Sequence, residues 1–446
     1  MSLDLKRAVA APITSIDALV DVFRAAEKPR AEHRLGLEHE KFVYPKGAAR
    51  PVPYEGPAGI GALLEKLGAQ GGYALFRETP ESPVIALQRG TETVSLEPGG
   101  QLELSGSPFF TAREAHAENL RHLSQAKAAA EALGLQLVGM GYRPSGTPAD
   151  MPWMPKTRYK VMRRTLPERG RLALNMMLMT STGQASYDWA DEADCVRKTV
   201  LVARLAPLMV ALYANSPIVE GKPSEWMSFR NRVWEEVDPA RCGYLPAFFE
   251  GSFSYRAYVE WALDAPLLFL RRSGEYLHPK LTFRQLMKEG FEGQPADMGD
   301  WTDHLSTLFP EVRLKKVIEV RGADCCSAEM TGALGALWRG LLYDSTALEE
   351  GERLLPKLSL ADHLALHDTA RRKGLAGKLG QHELHRLAGE MVAIARRGLE
   401  RLDPQDVPVL EPLARVAASG RSPGQAVLEA WEKDPRPEAL LSRFAL

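Results

Sequence analysis

Five glutamates at alternate positions in short apolar runs are the residues of this chain best placed for chemistry. Glu38 and Glu40 flank His39 in "GLEHEKF", with Leu35 and Leu37 on the other parity. Glu97 and Glu103 stand either side of Pro98-Gly99-Gly100 in "TETVSLEPGGQLELSG" (91–106), and Glu319 precedes Arg321 in "VIEVRGAD". Successive side chains of a strand point to opposite faces. A three-residue turn at Pro98-Gly99-Gly100 therefore pairs Glu97 with Gln101 and Ser95 with Glu103, leaving Val94, Leu96, Leu102 and Leu104 on a buried face. By the same parity Ile318 and Val320 point inward and Glu319 and Arg321 outward, while Thr180, Thr182, Gln184, Ser186 and Asp188 share one side.

If these segments join one sheet, the five glutamates (38, 40, 97, 103, 319) crowd one concave surface. Repulsion and desolvation then cost on the order of several kcal/mol per acid unless cations neutralise them. Oxygen donors without His or Cys select a hard divalent ion, Mg2+ above all, and several such ions on carboxylates serve nucleotide phosphates. A single strand with outward glutamates is ordinarily a solvated sheet face. Repetition over four segments, with a Gly99-Gly100 reversal free of side chains, is what favours a metal–polyphosphate site. Repulsion also predicts that Glu319→Gln or Glu103→Gln leaves the cation-free protein as stable as before, or more so.

The elements that must carry these residues can be read from periodicity. Helices are predicted over 13–27, 57–69 and 112–134, the last rich in helix formers and closed by Gly134. Strand-like stretches are 33–44, 91–106, 135–142, 175–189 and 313–324, and from about 346 the pattern is helical. Strands and helices do not alternate regularly, which favours an α+β fold with an antiparallel sheet over a doubly wound one. Residues 31–330 then carry the sheet and the site, residues 331–446 a mainly helical part, and 1–446 one catalytic unit. The apolar run 199–219 contains Arg204 and Pro207 and reads as a buried helix kinked at the proline, not a membrane span.

A formal net charge of -1 provides no global field for nucleic acid, and no local basic patch replaces it. The stretch "MSLDLKRAVAAPITS" lacks the apolar core of a signal peptide, which points to the cytoplasm. Four cysteines, Cys325 and Cys326 adjacent, form neither a disulfide framework nor a zinc pattern. His39 is expected to pack behind the acidic face. Asp188 is expected to cap the helix that follows "DWADEADCVRK". Trp153, Trp226, Trp234 and Tyr244 are expected in the core, with one or two lining a pocket.

Together these segments resemble the plant-type glutamate–cysteine ligase family, which also has bacterial members. The resemblance spans nearly the whole chain: "GLEHEKF", "VSLEPGGQLELSG", "MPKTRYKVM", "ALYANSPIVEGKP", "VWEEVDPARCGYLP", "LTFRQLM", "HLSTLFPEVRLKKVIEVRGAD" and "LWRGLLYD" stand in family order. It implies a saddle-like, mainly antiparallel sheet with the active site on its concave face and helices outside, as in the glutamine synthetase-like fold. The implied reaction joins L-glutamate to L-cysteine with ATP, giving γ-glutamylcysteine, ADP and phosphate. Family metal and nucleotide ligands fall on Glu38, Glu40, Glu97, Glu103 and Glu319, and Gln184 lies where relatives place another polar ligand. Arg321 is the candidate for phosphate contact, with Glu319 and Glu103 completing the catalytic set. Lys156, Arg158, Arg230 and Arg232 are candidates to hold substrate carboxylates, which guanidinium forks grip bidentately. ATP and Mg2+ are the implied cofactors, with no nucleic-acid or membrane partner, in a monomer or homodimer.

Where plant members carry small residues and Pro-Trp after "RGAD", this chain has Cys325-Cys326-Ser327-Ala328-Glu329, and the plant redox pairs have no match. The acceptor pocket is not legible in sequence. A γ-glutamyl ligase with another amine acceptor, and a non-catalytic Mg-ATP or glutamate sensor, therefore stand as alternatives. Retention of all five glutamates and Arg321 argues against the sensor.

Overall fold

The computed structural model describes residues 12–272 and 274–446. The signal-peptide reading rests on residues 1–15, of which 1–11 lie outside the described residues. Among the described residues nine strands form one sheet: β1 (Leu35–Pro45), β2 (Ala74–Arg77), β3 (Val84–Arg89), β4 (Glu92–Leu96), β5 (Leu102–Ser105), β6 (Leu135–Val138), β7 (Thr182–Tyr187), β8 (Val312–Leu314) and β9 (Ile318–Asp324). Their order is β8-β9-β7-β1-β5-β4-β3-β2, every pair antiparallel, with β6 on the far half of β1. The fold is α+β.

Register decides which side chains share a face. Glu38 lies opposite Gln184 and Ser105, Glu40 opposite Glu103, Glu103 opposite Ser95, and Glu319 opposite Ser186. The other face carries Leu37, Val94, Leu104, Ala185 and Val320, none more than 2% exposed. This is the expected separation of acids from core.

The apolar face is covered by helices. In chain order the ones used below are α1 (Ile16–Arg24), α2 (Ile60–Gly71), α3 (Ala112–Glu131), α4 (Thr157–Thr165), α5 (Ala173–Met179), α6 (Glu192–Tyr213), α7 (Phe229–Val233), α8 (Ala328–Tyr343), α9 (Leu360–Lys373) and α10 (Leu384–Leu402). α3, α6 and α8 pack on the sheet, and α10 packs on α8. α3 starts in a capping box between Thr111 and Glu114, a device worth roughly 0.5–2 kcal/mol. α8 carries glycines where it meets its neighbours. A Cβ on Gly335 would lie 2.8 Å from Leu37 Cδ2, and one on Gly340 2.2 Å from Ala395 O of α10.

Several local expectations change. The stretch 175–189 is not one strand: α5 occupies its first part and β7 only Thr182–Tyr187. "ALNMMLM" has no β-branched residue and, Asn175 apart, consists of strong helix formers, and the switch comes where Thr180-Ser181-Thr182 begins. The stretch 135–142 shortens to β6, and 313–324 is a hairpin of β8 and β9. α6 contains Pro207 and is buried along almost all of its second half. Among the described residues no helix is long and apolar enough to cross a membrane. Asp188 is not a helix cap. Asp191 caps α6, while Asp188 accepts from Lys28 Nζ at 2.7 Å and Arg34 N–H at 2.9 Å.

Candidate active site

The site is built on the β4–β5 turn. Gly100 has φ +83°, a conformation that side-chain-bearing residues rarely adopt. A Cβ on Gly99 would fall 2.5 Å from Leu178 O. Glu97 N–H donates to Gln101 O and Gly100 N–H to Glu97 O, both at 2.9 Å. Surrounding groups grip the same turn. Lys156 Nζ and Tyr159 Oη donate to Leu96 O at 2.6 and 2.7 Å, and Arg143 Nη2 donates to Gly99 O at 2.9 Å. Glu97 and Glu103 thus stand on backbone that packing has already fixed.

The acids divide into two electrostatic groups. Glu103 accepts from Ser95 Oγ at 2.8 Å and Glu40 from Thr182 N–H at 3.0 Å. Burial raises the Glu38 carboxyl above its ordinary range, and Glu319 and Glu103 add to the effect. Burial raises Glu40 well above its ordinary range, with Glu97 and Glu103 adding and Arg230 opposing. Glu319 is different. Burial acts on it too, but Arg313, Lys315 and Arg321 outweigh burial and hold its carboxyl well below the usual range. Arg313 grips it with Nε at 2.5 Å and Nη2 at 2.9 Å, Arg321 Nη1 lies at 2.8 Å and Lys315 Nζ at 3.3 Å. Arg321 Nη1 also donates to Gln184 Oε1 at 2.8 Å.

The fit to Mg2+ follows from this division. Among the described residues no three His, Cys, Asp or Glu side chains gather into a cage for a metal ion. Mg2+ does not need one, since it commonly binds through one or two carboxylates together with substrate phosphates. Glu40, buried, and Glu38, partly exposed beside it, are donors of that kind.

The basic candidates separate. Lys156 is buried, and burial, with Arg158 adding, lowers its ammonium to about 8. Arg158 stands over the Tyr159 ring at 5.2 Å, its buried Nε without a hydrogen-bond partner. Arg230, on α7, is 2% exposed; its Nη2 donates to Arg321 O at 3.0 Å and its Nη1 lies 4.0 Å from Asp324 Oδ1. Asp324 also accepts from Ser216 Oγ, Ser228 Oγ and Asn215 N–H at 2.6–2.8 Å, which ties α7 to the end of β9. Arg232 is not brought to the acids. Residues two apart on a helix do not share a face. Arg232 pairs instead with Glu235 and Glu236 and lies over the Trp226 ring at 5.6 Å.

Trp234 and Tyr244 line a cleft beside Arg230 and Arg321, whereas Trp226 lies beneath arginines 232, 371 and 372 and Trp153 beneath Arg163. His39 is buried, with its ring nitrogens 3.1 Å from Asn119 Oδ1 and 3.3 Å from Cys326 O, as expected of a packed residue. Cys325 Sγ donates to Glu40 O at 2.9 Å. Arg313 and Lys315 were missed in the sequence, although "RLKKVIEV" contains them. In that hairpin Arg313 stands opposite Glu319, as Ser95 stands opposite Glu103 in β4 and β5.

Comparison with known proteins bears on this arrangement. The model of the family described as glutamate-cysteine ligase family 2 (GCS2) matches residues 34–441. The chloroplastic glutamate–cysteine ligase of Brassica juncea is 37% identical over 424 residues, covering 94% of this chain and 81% of that protein. The Arabidopsis thaliana enzyme is also 37% identical, covering 94% and 80%. Among solved structures, glutamate–cysteine ligase from Francisella tularensis in complex with AMP aligns with TM-score 0.56 and 14% identity, covering 92% of this chain and 87% of that one. At that identity the likeness speaks to the fold, and the fold agrees. With a sheet whose acids and cations share one face and relatives matching over almost its full length, this chain belongs to glutamate–cysteine ligase family 2.

Proposed function

We propose that the chain is an ATP-dependent ligase joining the γ-carboxylate of L-glutamate to the amine of L-cysteine, giving γ-glutamylcysteine, ADP and phosphate, the first step of glutathione biosynthesis. The observation that carries this reading is the convergence of Glu38, Glu40, Glu103, Glu319, Gln184 and Arg321 on one sheet face of a family member. A γ-carboxylate oxygen of glutamate attacks the γ-phosphorus of ATP, and ADP leaves with the bridging oxygen. The amine nitrogen then attacks the acyl carbon, phosphate leaves with its electron pair, and the nitrogen gives up a proton.

The chain's own groups supply position and charge. Arg321, held between Glu319 and Gln184, presents a fixed guanidinium to the transferring phosphoryl group. Arg158 and Arg230 each keep buried nitrogens without hydrogen-bond partners and are suited to substrate carboxylates. Mg2+ ions, each held by one or two carboxylates from Glu38, Glu40, Glu97 and Glu103 together with the nucleotide phosphates, and with Glu319 beside them, would offset charge on those phosphates. We place the reaction in the cytoplasm, in a monomer or homodimer.

The test is ADP release from ATP and glutamate, with and without cysteine and other amines. Release requiring cysteine supports the reading. Release with a different amine reassigns the acceptor, and binding without release indicates a sensor. Rapid quench with labelled ATP should place the label on free phosphate; AMP with pyrophosphate, or a stable phosphoprotein, would overturn the mechanism.

A further inference from the structure

A cavity of about 220 Å³ lies in the helical layer, where α6, α8 and the end of α10 meet the segments entering β1 and α3. It shares no wall residue with the acidic face or with the cleft beside Arg230 and Arg321. None of its residues has a part in the ligase chemistry described above.

Three cations and one carboxylate face this cavity: Arg30, Lys198 and Arg339 against Asp403, which is itself engaged by Arg113. Lys198 and Arg339 are 1% and 7% exposed. Lys198 Nζ is well used, on Asp194 Oδ2 at 2.7 Å and Asp188 O at 3.1 Å. Arg339 is not. Its Nε donates to Phe110 O at 3.2 Å, while its buried Nη1 lies 2.9 Å from Asp406 Oδ2 without hydrogen-bond geometry. Among the described residues Arg339 Nη2 makes no hydrogen bond, and the Arg30 guanidinium only approaches Asp194 Oδ1, at 3.5 Å. Arg34 has no acidic partner there and lies over the Phe110 ring at 4.6 Å. Buried donors are rarely left unpaired, and guanidinium donors facing a void call for an anion.

The rest of the wall is apolar. Phe110, 47% exposed, stands with Leu342 and Leu402. Burial, with Lys198 adding, lowers the His33 imidazole, so at neutral pH its ring, 5.1 Å from that of Tyr343, is uncharged wall. We propose that this cavity binds a small organic anion, a phosphate or carboxylate on a short apolar body. Arg339 and Arg30 meet the charge, and Phe110, Leu342 and Leu402 meet the body. The volume is below the range of about 300–1,000 Å³ usual for drug-sized ligands, which limits the body to a ring or a short chain. The site touches the catalytic face through one strand. Leu35 and Phe109 exchange both backbone hydrogen bonds at 2.8 Å, and Tyr343 Oη donates to Arg34 O. An occupant therefore braces the start of β1, the strand that carries Glu38 and Glu40.

The test is calorimetric titration of the full chain with phenyl phosphate, with inorganic phosphate and with phenol, first alone and then with MgADP covering the acidic face. Phenyl phosphate should bind with Kd below about 1 mM, at least about tenfold tighter than either fragment, and MgADP should not displace it. Arg339→Gln should weaken it at least about tenfold. Phe110→Ala, at an exposed position, should bring it down to the affinity of inorganic phosphate. Arg30→Gln, also at an exposed position, should weaken it at least about threefold and covers the case in which Arg339→Gln does not fold. No binding to the parent chain, equal binding of phenol, loss of binding on adding MgADP, or an affinity unchanged by the arginine substitutions would overturn the proposal.

Discussion

Glu319 and Glu40 share a sheet face but should respond in opposite ways to losing their charge. Like-charge relief, expected from sequence for Glu319→Gln, does not apply where Arg313, Lys315 and Arg321 surround the carboxylate. Removing it leaves Arg313 buried and unpaired, at a cost on the order of 3–5 kcal/mol. Glu40→Gln removes an acid whose carboxyl is raised well above its ordinary range, chiefly by burial. The folded state then holds that proton more tightly than the unfolded chain does. Its stabilising effect is complete below the ordinary carboxyl pKa and is lost as pH rises through the folded value. Without nucleotide or Mg2+, Glu40→Gln should therefore melt with the parent below about pH 4 and above it at about pH 8. Glu319→Gln should melt below the parent at about pH 8, and both should lose turnover by orders of magnitude. Equal destabilisation by the two substitutions at high pH would show that the face is not divided as described.

At the scale of elements, what was legible had local periodicity. β1, the β4–β5 hairpin and β9 were readable because apolar and acidic residues alternate with period two, and β4–β5 register followed from one Gly-Gly turn. α5 was misread because the seven residues 173–179 are too few to separate a helix from a strand by period alone. That Arg230 and Glu311 line one cleft was out of reach: 81 positions separate them, and tertiary packing alone brings them together. The α8–α10 crossing was equally invisible. A Cβ on Gly398 would lie 2.1 Å from Gly340 O, a backbone atom that cannot swing aside. Alanine would gain about 1 kcal/mol of helix propensity at an open site. Here the overlap costs about 1–3 kcal/mol or more, so it outweighs the gain. Gly398→Ala should lower the melting temperature while KM for ATP and glutamate stays unchanged, because α10 meets α8 on the side away from the acids. A raised KM with an unchanged melting point would contradict this placement.

Across the whole molecule, the cysteines are withdrawn from the surface. All four are free; Cys195, Cys325 and Cys326 are buried and Cys242 is partly so. Burial pushes the Cys325 and Cys242 thiols up to about 12 and Cys326 well above its ordinary value. The thiolate is the reactive form, and at neutral pH almost none is present. Cys325 and Cys326 are adjacent but turn to different carbonyls, Sγ of Cys325 to Glu40 O at 2.9 Å and Sγ of Cys326 to Tyr213 O at 3.9 Å. Joining them would break the Cys325 link to β1, and with it a hold on the strand that carries Glu38 and Glu40. Turnover should therefore be the same in dithiothreitol and in mild oxidant. Thiol titration of the folded protein should be slow at all four cysteines and become rapid only in denaturant. A rate that falls on oxidation and returns on reduction would overturn this, and Cys325→Ser and Cys326→Ser would then show which thiol is responsible.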